Sequence, residues 1–263
     1  LREDAGLEAP SITRVPRDRP LQLSFAQERL WFLAQLEPNS LFYNVSLGLR
    51  LGGRLDQGAM ERAISEIVRR HEVLRTTFAA PEGQPVQVVQ PEAPVPLPVD
   101  DFSALPPEER DIAARAQLDA EAKRPFDLAT GPLFRPRLVR LSADDHVLLI
   151  AMHHIVSDAW TRGILNRELA VLYGAFSRGE PSPLPELPIQ YADYAEWQRS
   201  WLRGDAMDRQ LAYWKQQLAG LPPVLELPVD RPRAPVMSHR GAMKSFNLPA
   251  EIHKALLDLS RRE

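Results

Sequence analysis

The stretch Leu133-Phe134-Arg135-Pro136-Arg137-Leu138-Val139-Arg140-Leu141, then Ser142, Ala143, Asp144 and Asp145, then His146-Val147-Leu148-Leu149-Ile150-Ala151-Met152-His153-His154, decides the fold. Both halves have the length of strands and are separated by a polar spacer. The run Val147 to Met152 is nearly unbroken apolar sequence, which predicts a central strand. Pro136 has no N–H to give to a ladder, so the first strand is expected at the periphery or locally bulged. After the histidines, Thr161 to Phe176 predicts a helix with Ile164, Leu165, Leu169, Leu172 and Phe176 on its buried side. A buried strand thus delivers a polar loop to the start of a helix, the connection of an α/β fold.

Upstream, the opening through Arg14, Pro16, Arg17, Asp18, Arg19 and Pro20 is polar and proline-broken, as a linker or extended entry strap would be. Ser24 and Gln27 have capping-box spacing before an apolar face of Phe25, Leu30, Trp31, Leu33 and Ala34 that stops before Pro38. Phe42 to Leu51 alternates as a strand and ends at Gly52 and Gly53. A second amphipathic helix is expected from Asp56 to about Phe78, on Met60, Ala63, Ile64, Ile67, Val68 and Leu74. Val86, Val88 and Val89 suggest a short strand before the prolines of Pro91 to Pro98. Pro107 to Arg124 has strong helix propensity and a modest apolar face.

Downstream, Gly179 to Pro188 shifts to proline and small residues, a boundary or crossover. Helices are expected at Tyr191 to Leu202 and Arg209 to Leu218, with Trp197, Trp201 and Trp214 read as packing between elements. Trp160, beside the histidine loop, is likewise read as a packing residue. A strand at Ala242 to Leu248 and a helix from Pro249, carrying Ile252, Leu256, Leu257 and Leu259, resemble the opening unit of another αβ layer. No fixed period repeats, which argues against a solenoid.

The 263 residues can bury a full core, and the net charge of -3 gives no global positive field for nucleic acid. With no cysteine, disulfides, thiolate metal sites and a cysteine nucleophile are excluded. The opening has no apolar segment of signal or anchor type, so cytoplasm is the expected location.

His153, His154 and Asp158 form the one compact set of ionisable groups that stands out. An imidazole can hydrogen-bond or accept an amine proton near neutral pH, and a carboxylate can fix a loop through an arginine or a backbone donor. Adjacent histidines on a strand point to opposite sides, so one is expected to face a reacting cavity and the other the supporting structure. The same divergence, with no cysteine ligand, ranks a metal site last.

Four stretches stand in order: Ser24-Phe25-Ala26-Gln27-Glu28-Arg29-Leu30-Trp31-Phe32-Leu33, Arg70-His71-Glu72-Val73-Leu74-Arg75-Thr76-Thr77-Phe78, Met152-His153-His154-Ile155-Val156-Ser157-Asp158-Ala159-Trp160 and Tyr191-Ala192-Asp193-Tyr194-Ala195-Glu196-Trp197. Together they resemble the successive motifs of nonribosomal peptide synthetase condensation domains, the third being the family's HHxxxD motif. The resemblance implies a chloramphenicol-acetyltransferase-like two-layer αβ sandwich, one lobe of a V-shaped pair plus the start of the second. It divides the chain into a strap at 1–20, an N-terminal lobe at 21–180, and crossover helices with an incomplete C-terminal lobe at 181–263.

The activity implied is peptide-bond formation between a donor aminoacyl or peptidyl thioester and an acceptor aminoacyl amine. Both would arrive on 4'-phosphopantetheine arms of donor and acceptor peptidyl carrier proteins, with an adenylation domain as chain neighbour. No cofactor of its own, no metal, no nucleic acid and no membrane are implied. His154 matches the histidine at the reaction centre, as general base, amine-positioning group or stabiliser of the tetrahedral intermediate, and His153 the more structural one before it. Asp158 matches a structural aspartate expected to pair with Arg75, and Arg70 is a second supporting candidate. Ala159 departs from the family's glycine, straining the loop if that position needs positive φ and harmless if it is helical. Two alternatives stand beside this: an ester-forming or free-amine-using acyltransferase of the same superfamily, and a catalytically silent recruitment module.

Overall fold

The computed structural model describes residues 9–232, 244 and 246–262. Its elements are β1 (Leu21–Gln22), α1 (Phe25–Leu36), β2 (Asn44–Gly52), α2 (Gln57–Arg70), β3 (Thr76–Ala79), β4 (Val86–Val89) and β5 (Val99–Asp101). They continue with α3 (Pro107–Ala122), β6 (Phe134–Ser142), β7 (Asp145–His153), α4 (Ala159–Ser177), α5 (Tyr191–Trp201), α6 (Asp205–Gln217) and α7 (Ala250–Arg262).

Two sheets form, a small one in the order β1-β4-β3 and a larger one in the order β2-β7-β6-β5. β7 is interior to the larger sheet, antiparallel to both neighbours, with Leu47 opposite Ile150 and Leu138 opposite Leu148. Its unbroken apolar run has a direct cause. Leu148, Ile150 and Met152 face a core with Met60, Ile64 and Ile67 of α2 and Leu165, Leu169 and Leu172 of α4. Leu149 and Val147 face the other side, where Ala114 and Leu118 of α3 join Val139 and Leu141. A strand covered on both faces has no polar side to alternate with. Fully burying each such leucine or isoleucine stabilises by about 1.5–3 kcal/mol, so this sheet is the rigid floor on which the histidines are mounted.

β6 is not peripheral as Pro136 led us to expect, since β7 and β5 flank it. β5 covers only Leu138 to Arg140, so Pro136 lies beyond its end and its missing N–H breaks no bond there. The irregularity in β6 falls between Arg140 and Ser142 instead.

The α1 capping box is present, with Ser24 Oγ accepting the Gln27 N–H at 3.2 Å and Gln27 Oε1 accepting the Ser24 N–H at 3.0 Å. The helix expected from Asp56 to Phe78 is shorter. Asp56 caps α2, which ends at Arg70, and a 3-10 turn over Glu72–Arg75 leads into β3. The β-branched Thr76 and Thr77 pair with Val89 and Val88 of β4, a long-range gain that a helix would forfeit.

One compact unit takes in the chain through Ala219, α5 and α6 included. The entry strap is fixed to that unit from Pro10 onward; residues 1–8 lie outside the described residues. Arg17 bonds Asp193 and Glu72, each at 2.8 Å, and Trp197 Nε1 donates to the Pro10 carbonyl at 2.5 Å. A second unit covers residues 220–263, with α7 as its regular element among the described residues. Ile252, Leu256, Leu257 and Leu259 of α7 are exposed. The strand expected at Ala242 to Leu248 lies outside the described residues, apart from Lys244 and Phe246 to Leu248, which are not in a strand. No helix among the described residues is long and apolar enough to cross a membrane.

Candidate active site

At its C-terminal end β7 is clamped on both sides. The His153 N–H donates to the Leu133 carbonyl at 3.1 Å and the His154 N–H to the Tyr43 carbonyl at 2.8 Å, so the two residues inherit the pleat and their side chains diverge. His153 is 5% exposed, its ring edge-on to Phe126 with centroids 6.0 Å apart and tilted to Tyr43 at 6.2 Å. Its Nδ1 accepts the Ile155 N–H at 3.1 Å, holding the turn after the strand. Burial, and then the neighbouring His154, pushes the His153 imidazole down to about 4, so it is neutral at physiological pH.

His154 faces the other way and lines a cavity of about 550 Å³, bounded by Gln27 and Leu30 of α1, Tyr43, His71, Ile164 of α4, and Tyr191 of α5. Its Nδ1 lies 2.5 Å from the Ser157 carbonyl oxygen. A carbonyl only accepts, so in the neutral imidazole Nδ1 carries the hydrogen and Nε2 keeps its lone pair. The Ser157 hydroxyl in turn donates to the His153 carbonyl at 3.1 Å, closing the turn that aims the ring. An oriented imidazole on a cavity, its Nε2 without a partner among the described residues, can take a proton from an amine and return it to a leaving group.

The Asp158–Arg75 ion pair expected from the resemblance is not what the structure contains. Asp158 is exposed and caps α4, with Oδ1 accepting the Thr161 N–H at 3.0 Å and the Thr161 hydroxyl at 2.9 Å. Arg75 bonds the Gln90 carbonyl, reaches Glu92 at 3.9 Å, and lines a separate cavity of about 440 Å³ beside β6. The 3-10 turn carries Arg75 away from the loop, and the helix N-terminus supplies Asp158 with partners of its own.

Arg70 is buried against Glu168 of α4, with side chains 2% and 8% exposed and an Nε to Oε2 distance of 3.3 Å. It also donates to the Pro185 carbonyl at 2.8 Å, binding the crossover that bounds the cavity through Leu187 and Ile189. Ala159 is the first residue of α4 and has no positive φ, so its methyl meets no backbone penalty. Trp160 is 83% exposed at the cavity rim and is not a packing residue, because the second position of a capped helix projects outward here. Trp214 is exposed as well, whereas Trp197 and Trp201 stack with centroids 5.1 Å apart.

Several residues that the sequence did not single out help build the site. Ser157 braces His154, and Glu168 ties α4 to α2. Asp193, fully buried, accepts the Val15 N–H at 3.0 Å and the Gln190 N–H at 2.7 Å besides Arg17. Gln190 with Asp193 three residues on carries a readable capping-box spacing; Arg17 carries no such signal. Among the described residues no cluster of three or more metal-ligating side chains occurs.

A family model for the condensation domain matches residues 18–262. The chain belongs to the condensation-domain family. This condensation domain is 47% identical over 263 residues to one of the linear gramicidin synthase proteins of Brevibacillus parabrevis, a match covering all of this chain and 3% of that protein. It is 46% identical over 254 residues to phosphinothricin tripeptide synthetase PhsC of Streptomyces viridochromogenes, covering 96% of this chain and 23% of that protein. Among solved structures, the complex of the X-domain and OxyB from teicoplanin biosynthesis matches with a TM-score of 0.75 at 32% identity, over 89% of this chain and 51% of that one. The starter condensation domain of rhizomide synthetase RzmA shares the fold, with a TM-score of 0.71 at 23% identity over 78% and 49% of the two chains. The chain therefore spans about half the length of the solved chains it matches. The mixed αβ architecture expected from the sequence is the one these condensation-domain structures share.

Proposed function

We propose that this condensation domain joins a donor aminoacyl or peptidyl thioester to the amine of an acceptor aminoacyl thioester, both presented on the pantetheine arms of carrier proteins. The amine nitrogen bonds to the thioester carbonyl carbon, the carbon–sulfur bond breaks, and the amine proton ends on the departing thiol. The observation that carries this reading is His154, whose Nδ1 is held by the Ser157 carbonyl at 2.5 Å while its ring lines the cavity. Nε2 is the proton acceptor in this scheme, and His153, neutral and buried, supports the strand end. Asp158 and Arg70 support the loop and cavity wall, Asp158 through the cap of α4 and not through Arg75. Tethering supplies local concentration and orientation, so a tight pocket for either free amino acid is unnecessary. The relatives are peptide synthetases far longer than this chain, which supports carrier-protein partners, an adenylation neighbour and a cytoplasmic setting as parts of the same proposal.

The second reading is a silent recruitment module. It is favoured by the 32% identity to an X-domain whose structure was solved with OxyB. Loaded donor and acceptor carriers mixed with the intact protein separate the two. On the first reading His154→Ala lowers peptide formation by about 100-fold or more with no loss of melting temperature, because the side chain is exposed. Equal turnover by His154→Ala and the unmutated protein, or no product from either, transfers the assignment to recruitment.

A further inference from the structure

His71 is the second histidine lining the cavity that holds His154. It terminates α2, its N–H donating to the Ile67 carbonyl at 3.0 Å and its carbonyl accepting from Leu74 at 2.9 Å, so its backbone is fixed on both sides. Its Nε2 lies 2.9 Å from Glu168 Oε2, the oxygen that Arg70 also approaches. Burial works to raise the Glu168 carboxyl, but the hydrogen bonds from Arg70 and His71 outweigh it and hold the group below its ordinary range. A carboxylate only accepts, so in the neutral imidazole Nε2 carries the hydrogen and Nδ1 is an acceptor. Nδ1 has no partner among the described residues, and it is not one of the side-chain atoms closed off from solvent. The result is an imidazole that lines the same cavity as His154, is oriented from behind by a buried carboxylate, and keeps an accessible acceptor at Nδ1.

We propose that His71 is a substrate-contacting positioning residue whose Nδ1 accepts a hydrogen bond from an amide N–H of a pantetheine arm in the cavity. This rests on the carrier-dependent function proposed above and assigns the arm a polar anchor separate from His154. A histidine whose only role is to brace Glu168 predicts different chemistry. The two roles come apart because glutamine reproduces the Nε2 donor and removes the Nδ1 acceptor, whereas asparagine keeps an acceptor near Nδ1 and loses the reach to Glu168.

The test measures binding of free pantetheine to the intact protein by calorimetry, alongside melting temperature and the KM for loaded acceptor carrier. His71→Gln is expected to keep the melting temperature, weaken pantetheine binding about tenfold and raise KM similarly with kcat little changed. His71→Asn is expected to melt lower yet bind within about threefold of the unmutated protein. In the unmutated protein labelled with 15N-histidine, the His71 Nδ1 resonance shifts on adding pantetheine. Unchanged binding in His71→Gln, an unmoved Nδ1 resonance, or no pantetheine binding by the unmutated protein each overturns the proposal. Failure of the carriers to give peptide while pantetheine still moves Nδ1 sinks the condensation activity and leaves the His71 contact standing.

Discussion

Asp158 and Thr161 close on each other at the start of α4: the carboxylate accepts the Thr161 N–H at 3.0 Å, and the Asp158 N–H donates to the Thr161 hydroxyl at 2.9 Å. Asp158 thereby fixes the helix that follows the histidine loop, and it does so at the surface. Asp158→Ala is expected to cost about 1 kcal/mol, against the roughly 3–5 kcal/mol of a broken buried ion pair. Asp158→Asn, which can still cap, should stay near the unmutated value. Urea denaturation of the three proteins decides it, and a loss with Arg75→Ala that matches and fails to add to that of Asp158→Ala would restore the ion pair.

His153 makes the fold sensitive to acid. An unfolded histidine takes its proton near pH 6.5, whereas burial holds the folded one down to about 4. Stability from this residue is complete above pH 6.5 and is lost as pH falls from there toward 4, by about 3 kcal/mol in all. His153→Asn keeps an acceptor for the Ile155 N–H and removes the titration. Its stability curve should be flatter than that of the unmutated protein across this window, as read by denaturation at half-unit steps of pH. Parallel curves would show that the imidazole takes up its proton without cost.

These two residues show what was legible in the sequence. The run Val147 to Met152 announced a strand buried on both faces because burial on both faces leaves no alternation, and adjacent histidines at its end had to diverge. Asp158 and Thr161 also carry cap spacing, a local signal. What escaped depends on distant partners. Val73, Leu74 and Phe78 keep helix-like spacing through a 3-10 turn, and only the pairing of Thr76 and Thr77 with β4 ends the helix at Arg70. β5 is three residues with two aspartates, held by parallel pairing to Leu138–Arg140, and no apolar pattern marks it. Arg17 meets Asp193 across 176 positions, which no window on the chain can register.

That contact makes the entry strap part of the fold. Asp193 is fully buried and accepts from Arg17, the Val15 N–H and the Gln190 N–H. Asp193→Ala takes the acceptor from two backbone donors and leaves Glu72 as the remaining carboxylate partner of Arg17, and is expected to cost about 2–3 kcal/mol and to expose Arg14 and Arg17 to trypsin. Burial works to raise the Asp193 carboxyl, but Arg17 and the backbone donors prevail and hold it below the ordinary aspartate range. The strap's contribution is therefore present above about pH 3.9 and is lost as pH falls further. Equal rates of strap cleavage in Asp193→Ala and the unmutated protein would show that Arg17 does not fasten it.

Ala159 tests whether the histidine loop carries strain. A glycine is needed where φ is positive or where backbone passes too close for a Cβ, and Ala159 meets neither condition as the exposed first residue of α4. Its methyl lowers the entropy of the unfolded chain and suits the helix, so Ala159→Gly is expected to lower stability by up to about 1 kcal/mol. Peptide formation from loaded carriers should not rise, because the bond from His154 Nδ1 to the Ser157 carbonyl lies ahead of the helix and is untouched by the change. A several-fold rate increase in Ala159→Gly with no loss of stability would mean that the methyl stands in the path of an arm. The glycine of the family's motif would then serve passage of substrate and not backbone conformation.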